Sequence, residues 1–385
     1  MAEPRQSSPA TAAPDAASEL ADLRRQIDDV DRAILASLNE RARLVQAVGG
    51  VKEKGGVGVY EAGRERRIVE ELTRANAGPF PNAGIGPVFR EIISATRSLE
   101  QVLRVAYFGP EGTFTHLAAR RRFGELADLT AAPSITDVFA AVERERASLG
   151  VVPVENTTQG IVTETLDALV QFETQICGEA LLRVSQQLLS RSGRLEDVRR
   201  VASHPQPLAQ CRLWLDRNLP GVERVETAST ASAARAAAED AGVAAIGSAI
   251  AGEVYGLQTV ETAIEDRRDN TTRFFVISRG APARSGDDLT CVVFTLHKDE
   301  SGALHSLLAP FADCGVNLTS IQLRPMPGKP WEYLFFIELQ GHCSDEPVAK
   351  ALATAARVAL SHRVLGSFPR NPADAGPPGP GAVGA

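Results

Sequence analysis

Between Ser18 and about Gln101 the apolar residues fall at helical spacing. Leu20, Leu23, Ile27, Val30, Ile34, Leu38, Val45 and Val48 recur three, four or seven apart with no intervening proline. The pattern predicts a first helix of about thirty residues with Ser18 as its N-cap, well beyond the usual length. Two shorter helices are expected at about 61–76 and 85–101. Three helices with one this long seldom close a core alone, so a dimer of intertwined helices is expected.

Beyond Leu103 the texture changes. Short apolar runs, "LRVAYFG", "LGVVPV", "VRRVAS" and "VAAIGS", alternate with helical stretches as far as Arg279. They read as buried strands of an α/β domain, whose functional loops lie at strand ends. "GAPARSGDD" at 280–288 reads as a linker. From Leu289 to Phe368 the order is strand "LTCVVFTL", helix "ALHSLLAPFADCG", strands "VNLTSIQLR" and "WEYLFFIEL", helix "EPVAKALATAARVAL" and strand "HRVLGSF". This βαββαβ order is the ferredoxin-like arrangement. The expected chain is therefore multidomain: all-α over 18–101, α/β over 103–280 and α+β over 288–368. The Ala/Pro/Gly-rich ends, 1–17 and 370–385, are expected to be disordered.

Composition narrows the function classes. At 385 residues, 44% hydrophobic and 23% charged, the chain has the makeup of a soluble multidomain protein. A net charge of -7 provides no basic footprint for nucleic acid. Cys177, Cys211, Cys291, Cys314 and Cys343 form no C-x-x-C pair, which favours a reducing cytoplasm over a disulfide framework. No signal peptide and no membrane span are expected. The histidines do not cluster at ligand spacing and no G-x-G-x-x-G follows a strand, so no metal and no nucleotide cofactor are expected.

Candidate chemistry lies in three places. On the first helix Arg41 and Lys52 are about 20° apart in azimuth and share a face. Arg24 lies roughly 25 Å away along the axis and about 100° round it, so it reaches the same anion only from a partner helix. Glu61, Arg64 and Glu65 are neighbours at i, i+3 and i+4, and Thr96 and Glu100 form an i, i+4 pair. In the α/β segment four polar clusters stand at strand or loop edges: "GPEGTFTH" (109–116), "VPVENTTQG" (152–160), "SHPQPLAQC" (203–211) and "NTTRFF" (270–275). Singly each reads as capping or turn chemistry, with Thr113 or Thr115 as an N-cap and His204 as a turn residue before proline. In the last segment "GALH" (302–305) opens a helix whose N–H groups suit an anion.

Together these motifs carry a resemblance. "LRRQIDDVDRAILASLNERARLV…VKEK…GRERRI" resembles the all-helical chorismate mutases, which are intertwined dimers. The resemblance implies chorismate binding by Arg24 of a partner chain, Arg41, Lys52, Glu61, Glu65, Thr96 and Glu100. Lys52 and Glu100 are then the groups facing the breaking ether oxygen. Bacterial members often carry glutamine where Glu100 stands, and a carboxyl donates a hydrogen bond only when protonated. Mutase activity is therefore expected to fall as pH rises.

"YFGPEGTFT", "VVPVENTTQG", "ASHPQPLAQC", "STASAA" and "NTTRFFVI" resemble the prephenate dehydratases over the whole of 103–279. That family has two α/β lobes like a periplasmic binding protein, with substrate in the cleft. The resemblance implies that Thr272 is the residue tied to activity, with Arg273 and Phe274 beside it. Thr113, Glu155, Asn156, Thr157, Ser203, Gln206 and Thr230 match other cleft positions. Whether Thr272 relays a proton or only orients and polarises the leaving hydroxyl stays open; Glu155 is the nearest candidate acid and His204 the outsider.

The last segment resembles the ACT domain, which binds phenylalanine between paired domains. Gly302, Ala303, Leu304 and His305 match its first motif. The usual Glu-Ser-Arg-Pro is here "QLRP", keeping Arg324 but placing Gln322 where the family has glutamate, so feedback is expected in weakened or altered form. The resemblances imply a bifunctional enzyme of phenylalanine biosynthesis with chorismate and prephenate as substrates, L-phenylalanine as effector, and a homodimer or higher even oligomer. Arogenate in place of prephenate is the alternative among enzymes. A two-lobed binding module without chemistry is the alternative outside them, disfavoured by the fused mutase motifs.

Overall fold

The structure is a computed structural model that describes residues 16–55, 62–100, 102–296, 301–326 and 332–371, apart from the side chains of 16, 52–55 and 62. The tails expected to be disordered thus lie almost wholly outside the described residues. The chain divides into two compact units, one ending at Val57 and the other starting at Gly58.

The described residues of the first unit form a single helix, α1 (Ala16–Gly55), of 40 residues. It is longer than its periodicity predicts at both ends. Ser18 lies inside its first turn rather than capping it, and the helix runs on through Gly49 and Gly50, each of which costs about 1 kcal/mol against alanine. Ion pairs Asp22–Arg25 and Asp29–Arg32 support its exposed side. Its apolar stripe is open: Leu23, Ile27, Val30 and Ile34 are each at least 50% exposed.

The second unit begins with α2 (Ala62–Ala75) and α3 (Asn82–Arg97). Helix α3 stops four residues short of expectation, so Glu100 stands in a turn whose N–H bonds back to Arg97 O at 2.9 Å.

The α/β part then runs β1 (Arg104–Phe108), α4 (Phe114–Phe123), β2 (Asp128–Ala132), α5 (Ile135–Glu143), β3 (Leu149–Asn156), β4 (Gly160–Ile161), α6 (Thr163–Gln171) and β5 (Gln175–Arg183). The chain then crosses into β6 (Gln187–Ser190), β7 (Arg200–Ser203), α7 (Pro205–Gln210), α8 (Arg212–Asn218) and β8 (Glu223–Glu226). After α9 (Thr230–Glu239), β9 (Val243–Gly247), α10 (Ala249–Tyr255) and β10 (Gln258–Glu261), it returns as β11 (Thr271–Ser278). One sheet has the order β2-β1-β3-β11-β5 with β4 beside β3, and the other β10-β6-β9-β7-β8. Only two strand connections, at 184–186 and 262–270, pass between these sheets.

The last part is β12 (Asp288–Thr295), α11 (Ala303–Asp313), β13 (Leu318–Pro325), β14 (Tyr333–Gln340), α12 (Glu346–Val358) and β15 (Ser361–Pro369), with sheet order β13-β14-β12-β15. Strand β12 is buried along its whole length because both its faces are covered. Val292 and Phe294 pack toward Leu307 and Phe311 of α11, while Leu289, Cys291 and Val293 join a core shared with Val152, Phe275 and Ile277 of the first α/β sheet and Leu169 of α6. Phe275 and Phe368 meet edge to face at 5.8 Å across this shared core.

Candidate functional site

Thr272 enters β11 half-buried, opposite Asn156 on β3 and Leu182 on β5. Asn156 is 8% exposed. Its Oδ1 accepts from the backbone N–H groups of Thr158 at 3.0 Å and Gln159 at 3.2 Å, and from the Thr158 hydroxyl at 2.5 Å. Backbone N–H groups only donate, so the oxygen of the amide is assigned unambiguously. Nδ2 must then donate, and does so to Asn270 Oδ1 and to Thr272 Oγ1, both at 2.8 Å. Thr272 Oγ1 is thereby an acceptor, and its own hydrogen has no acceptor among the described residues. A hydrogen-bond donor is left pointing to whatever occupies this site.

The polar chain continues toward the second sheet. Thr158 Oγ1 accepts from Gln210 Nε2 at 3.4 Å, Gln210 Oε1 from Gln186 Nε2 at 3.2 Å, and Glu265 Oε2 from Gln186 N–H at 2.8 Å. Gln186 and Glu265 lie on the two connections between the sheets. Asn270, Thr158, Gln210 and Glu265 had no site role in the sequence reading, although the first three stand inside its motifs.

Several expected cleft residues serve the fold instead. Phe274 is 1% exposed and belongs to the core with Tyr107, Leu117 and Val276, so it is not a substrate contact. Ser203 is fully buried and donates to Ile246 O at 2.8 Å. Thr113 caps α4 and donates to Pro110 O at 2.9 Å. Thr157 accepts from Thr271 N–H at 3.0 Å, pinning the start of β11. His204 caps α7, its Nδ1 accepting from Gln206 N–H at 3.4 Å, which occupies the nitrogen a base would use. The side chains of Gln206 and Thr230 make no hydrogen bond among the described residues and remain available to a ligand.

Glu155 makes no ion pair among the described residues, but it registers with Arg273 while Asn156 registers with Thr272. Strand alternation puts it on the face opposite Thr272. It is therefore badly placed as the acid for a group held by Thr272.

In the "GPEGTFTH" loop His116 stacks on Tyr107 at 4.8 Å, and its Nδ1 accepts from Gly112 N–H at 3.2 Å. Burial holds its pKa below the usual histidine value, against the pull of Glu111. The loop is tied to α10 by Ser248 Oγ donating to Gly112 O at 2.8 Å.

Arg273 turns away from Thr272. Its Nε donates to Glu179 Oε2 at 2.7 Å, and Nη1 and Nη2 grip Glu338 of β14 at 2.9 and 2.8 Å. Burial works to lower its pKa, but Glu338 and Glu179 overcome this and hold it above the usual arginine value. Arg273 as a carboxylate clamp in the cleft does not fit this geometry, because its fork is already filled.

Comparison with known proteins decides the family. A prephenate dehydratase family model matches residues 105–282, a chorismate mutase type II model 23–101 and an ACT domain model 292–357. A bifunctional chorismate mutase/prephenate dehydratase of Aquifex aeolicus is 44% identical over 356 residues, covering 91% of this chain and 98% of that relative. This chain belongs to the bifunctional chorismate mutase/prephenate dehydratase family. A solved prephenate dehydratase from Arthrobacter aurescens in complex with L-Phe is 37% identical with a TM-score of 0.63, over 69% of this chain and 89% of that one. A structure described as GqqA, a novel type of quorum quenching acylase, is 30% identical with a TM-score of 0.65, over 70% and 98%.

In the mutase domain, Arg24 and Arg41 lie on α1, as does the backbone of Lys52; the Lys52 side chain and Glu61 lie outside the described residues. Glu65 pairs with Arg97 at 3.0 Å and with Arg122 of the dehydratase helix α4 at 3.7 Å. Thr96 donates its hydroxyl to Ile92 O at 2.8 Å, and α3 ends at Arg97, so Thr96 and Glu100 do not share a helix.

In the ACT domain, Gly302 takes a left-handed φ of 83° to open α11, and Leu304 and His305 are exposed beside it. Gln322 lies on β13 with Nε2 3.4 Å from Ser320 Oγ. Arg324 donates to Asp167 of the dehydratase helix α6 at 2.6 Å, so the surviving motif arginine is engaged between domains.

Proposed function

We propose that this chain rearranges chorismate to prephenate in its helical domain and converts prephenate to phenylpyruvate beside Thr272. Loss of carbon dioxide and the ring hydroxyl aromatises the ring, so the protein's task is to help hydroxide depart. The Thr272 hydroxyl donates to that leaving oxygen, and its role is orientation and polarisation rather than proton relay. The observation that carries this is the Asn156 amide, whose donation to Thr272 Oγ1 leaves the threonine hydrogen free for substrate. Gln206 and Thr230 are the remaining polar groups open to prephenate.

The two α/β sheets joined by two connections support a two-lobed fold like a periplasmic binding protein, and the sheet order of the last domain supports a ferredoxin-like ACT fold. The open apolar stripe of α1 supports an intertwined homodimer, in which Arg24 serves the partner's chorismate site with Arg41, Lys52, Glu61, Glu65 and Glu100. Phenylalanine binds at Gly302–His305 and Gln322. No described helix is long and apolar enough to cross a membrane, and five free cysteines support a cytoplasmic setting. The mutase match and the near full-length bifunctional relatives favour this reading over an acylase activity.

The test is formation of phenylpyruvate from chorismate, read by ultraviolet absorbance with no added cofactor, in parent, Thr272→Ser and Thr272→Val chains. Serine is expected to keep most dehydratase activity. Valine is expected to lose about 10²–10³-fold in kcat with substrate binding intact, the cost of one lost transition-state donor. Equal loss in both variants refutes a role for the hydroxyl.

A further inference from the structure

Three strands from two domains meet at one guanidinium. Arg273 is carried by β11, Glu179 by β5 and Glu338 by β14 of the ACT domain, and their side chains are 16%, 3% and 13% exposed. The guanidinium also lies 5.0 Å from the centre of the Phe275 ring. The second oxygen of Glu179 accepts from Asn371 N–H at 2.8 Å, tying the end of the chain's last described segment to the same junction. Arg273 is adjacent to Thr272, and the pairing of β11 with β3 is irregular between Arg273 and Phe274. The extra residue there is Val154 of β3, so the ladder that would hold β11 beside Thr272 is broken on that side and the strand's path depends on what holds Arg273.

We propose that Glu338, a residue of the ACT domain, is a positioning residue for the dehydratase reaction. By gripping Arg273 in a two-pronged ion pair it fixes the start of β11 where β3 bulges beside it, and with it the distance from Thr272 Oγ1 to Asn156. Misplacement by about 1 Å at a reacting group costs on the order of 10²-fold in rate. The same side chain sits where an effector signal arrives: Glu338 registers with Ser320 of β13, the strand that carries Gln322 and Arg324. Displacement of β13 and β14 therefore reaches Thr272 through one ion pair.

Glu338→Gln separates positioning from mere structural support. Two carboxylates share one guanidinium here, so the neutral amide leaves Arg273 paired with Glu179 and keeps one acceptor, while its NH2 opposes the other guanidinium N–H and opens the two-pronged grip. Positioning then demands that kcat on prephenate fall about tenfold, with KM within about twofold. Mutase activity of the same full-length chain and its Tm should hold, and inhibition by phenylalanine should weaken.

A second variant, Arg273→Lys, keeps the charge but loses the fork, and should show the same loss of kcat. In the double variant the two losses should overlap rather than multiply. The proposal is overturned by a Glu338→Gln kcat within about twofold of the parent. It is equally overturned by a loss that mutase activity and Tm share, or by fully multiplicative effects.

Discussion

The amide of Asn156 has one orientation available, because two backbone N–H groups claim its oxygen. Its nitrogen then donates to Thr272, and the threonine proton is left without an acceptor among the described residues. This places Asn156 among the residues that hold the donor rather than those that touch substrate. Asn156→Asp keeps the acceptor for Thr158 and Gln159 but can no longer donate while ionised. The Thr272 hydroxyl should then turn to donate to the carboxylate so introduced, and kcat should fall about 10²-fold with KM little changed. Steady-state kinetics on prephenate checks this; an unchanged kcat would show that Asn156 does not set the threonine's orientation. The motif was legible as a motif, yet the direction of the hydrogen bond was not, because it depends on a turn two residues later.

Among elements, β15 and β5 approach each other as bare backbone. A Cβ added at Gly366 would stand 2.2 Å from Ile176 O and 2.8 Å from Ile176 N, so no side chain fits without the strands parting. Arg363 of β15 extends the contact by donating to the carbonyls of Leu169 and Phe172 at the end of α6. Gly366→Ala is expected to destabilise the chain by at least the roughly 1–3 kcal/mol typical of overpacking, several degrees in Tm, and to relax phenylalanine inhibition. Calorimetry beside inhibitor titration measures both; a parent-like Tm would mean the strands separate at little cost. No local signal marked this glycine, since its constraint comes from a strand of the other domain, far back in the chain.

At the scale of the molecule the ACT and dehydratase domains share one core rather than lying side by side on a linker. Leu289, Cys291, Val293, Leu334, Phe336 and Phe368 pack with Val152, Leu169, Phe275 and Ile277. Domains that bury a common core cannot unfold separately without exposing it. Urea unfolding is therefore expected to show a single transition for the first α/β sheet and the ACT sheet, followed by hydrogen exchange of the β11 and β12 amides. Two midpoints well separated in urea would argue that the shared core is weak.

The sequence alone determined the order of elements in the first and last segments, the three-part layout and the family, because periodicity and short motifs are local properties. It also marked buried strands by short apolar runs, "LGVVPV" and "VAAIGS" among them. In "YLFFIEL" the one charge among apolar residues is Glu338, a mark that becomes meaningful only once its partner is known. Tertiary structure decided which motif residues face a substrate and which face the fold. It took Phe274 into the core, turned Arg273 to the ACT domain and set Glu155 on the wrong face for Thr272. Those outcomes depend on strand register and on pairs far apart in the chain, where burial and ion pairing, not residue type, choose the side chain's direction.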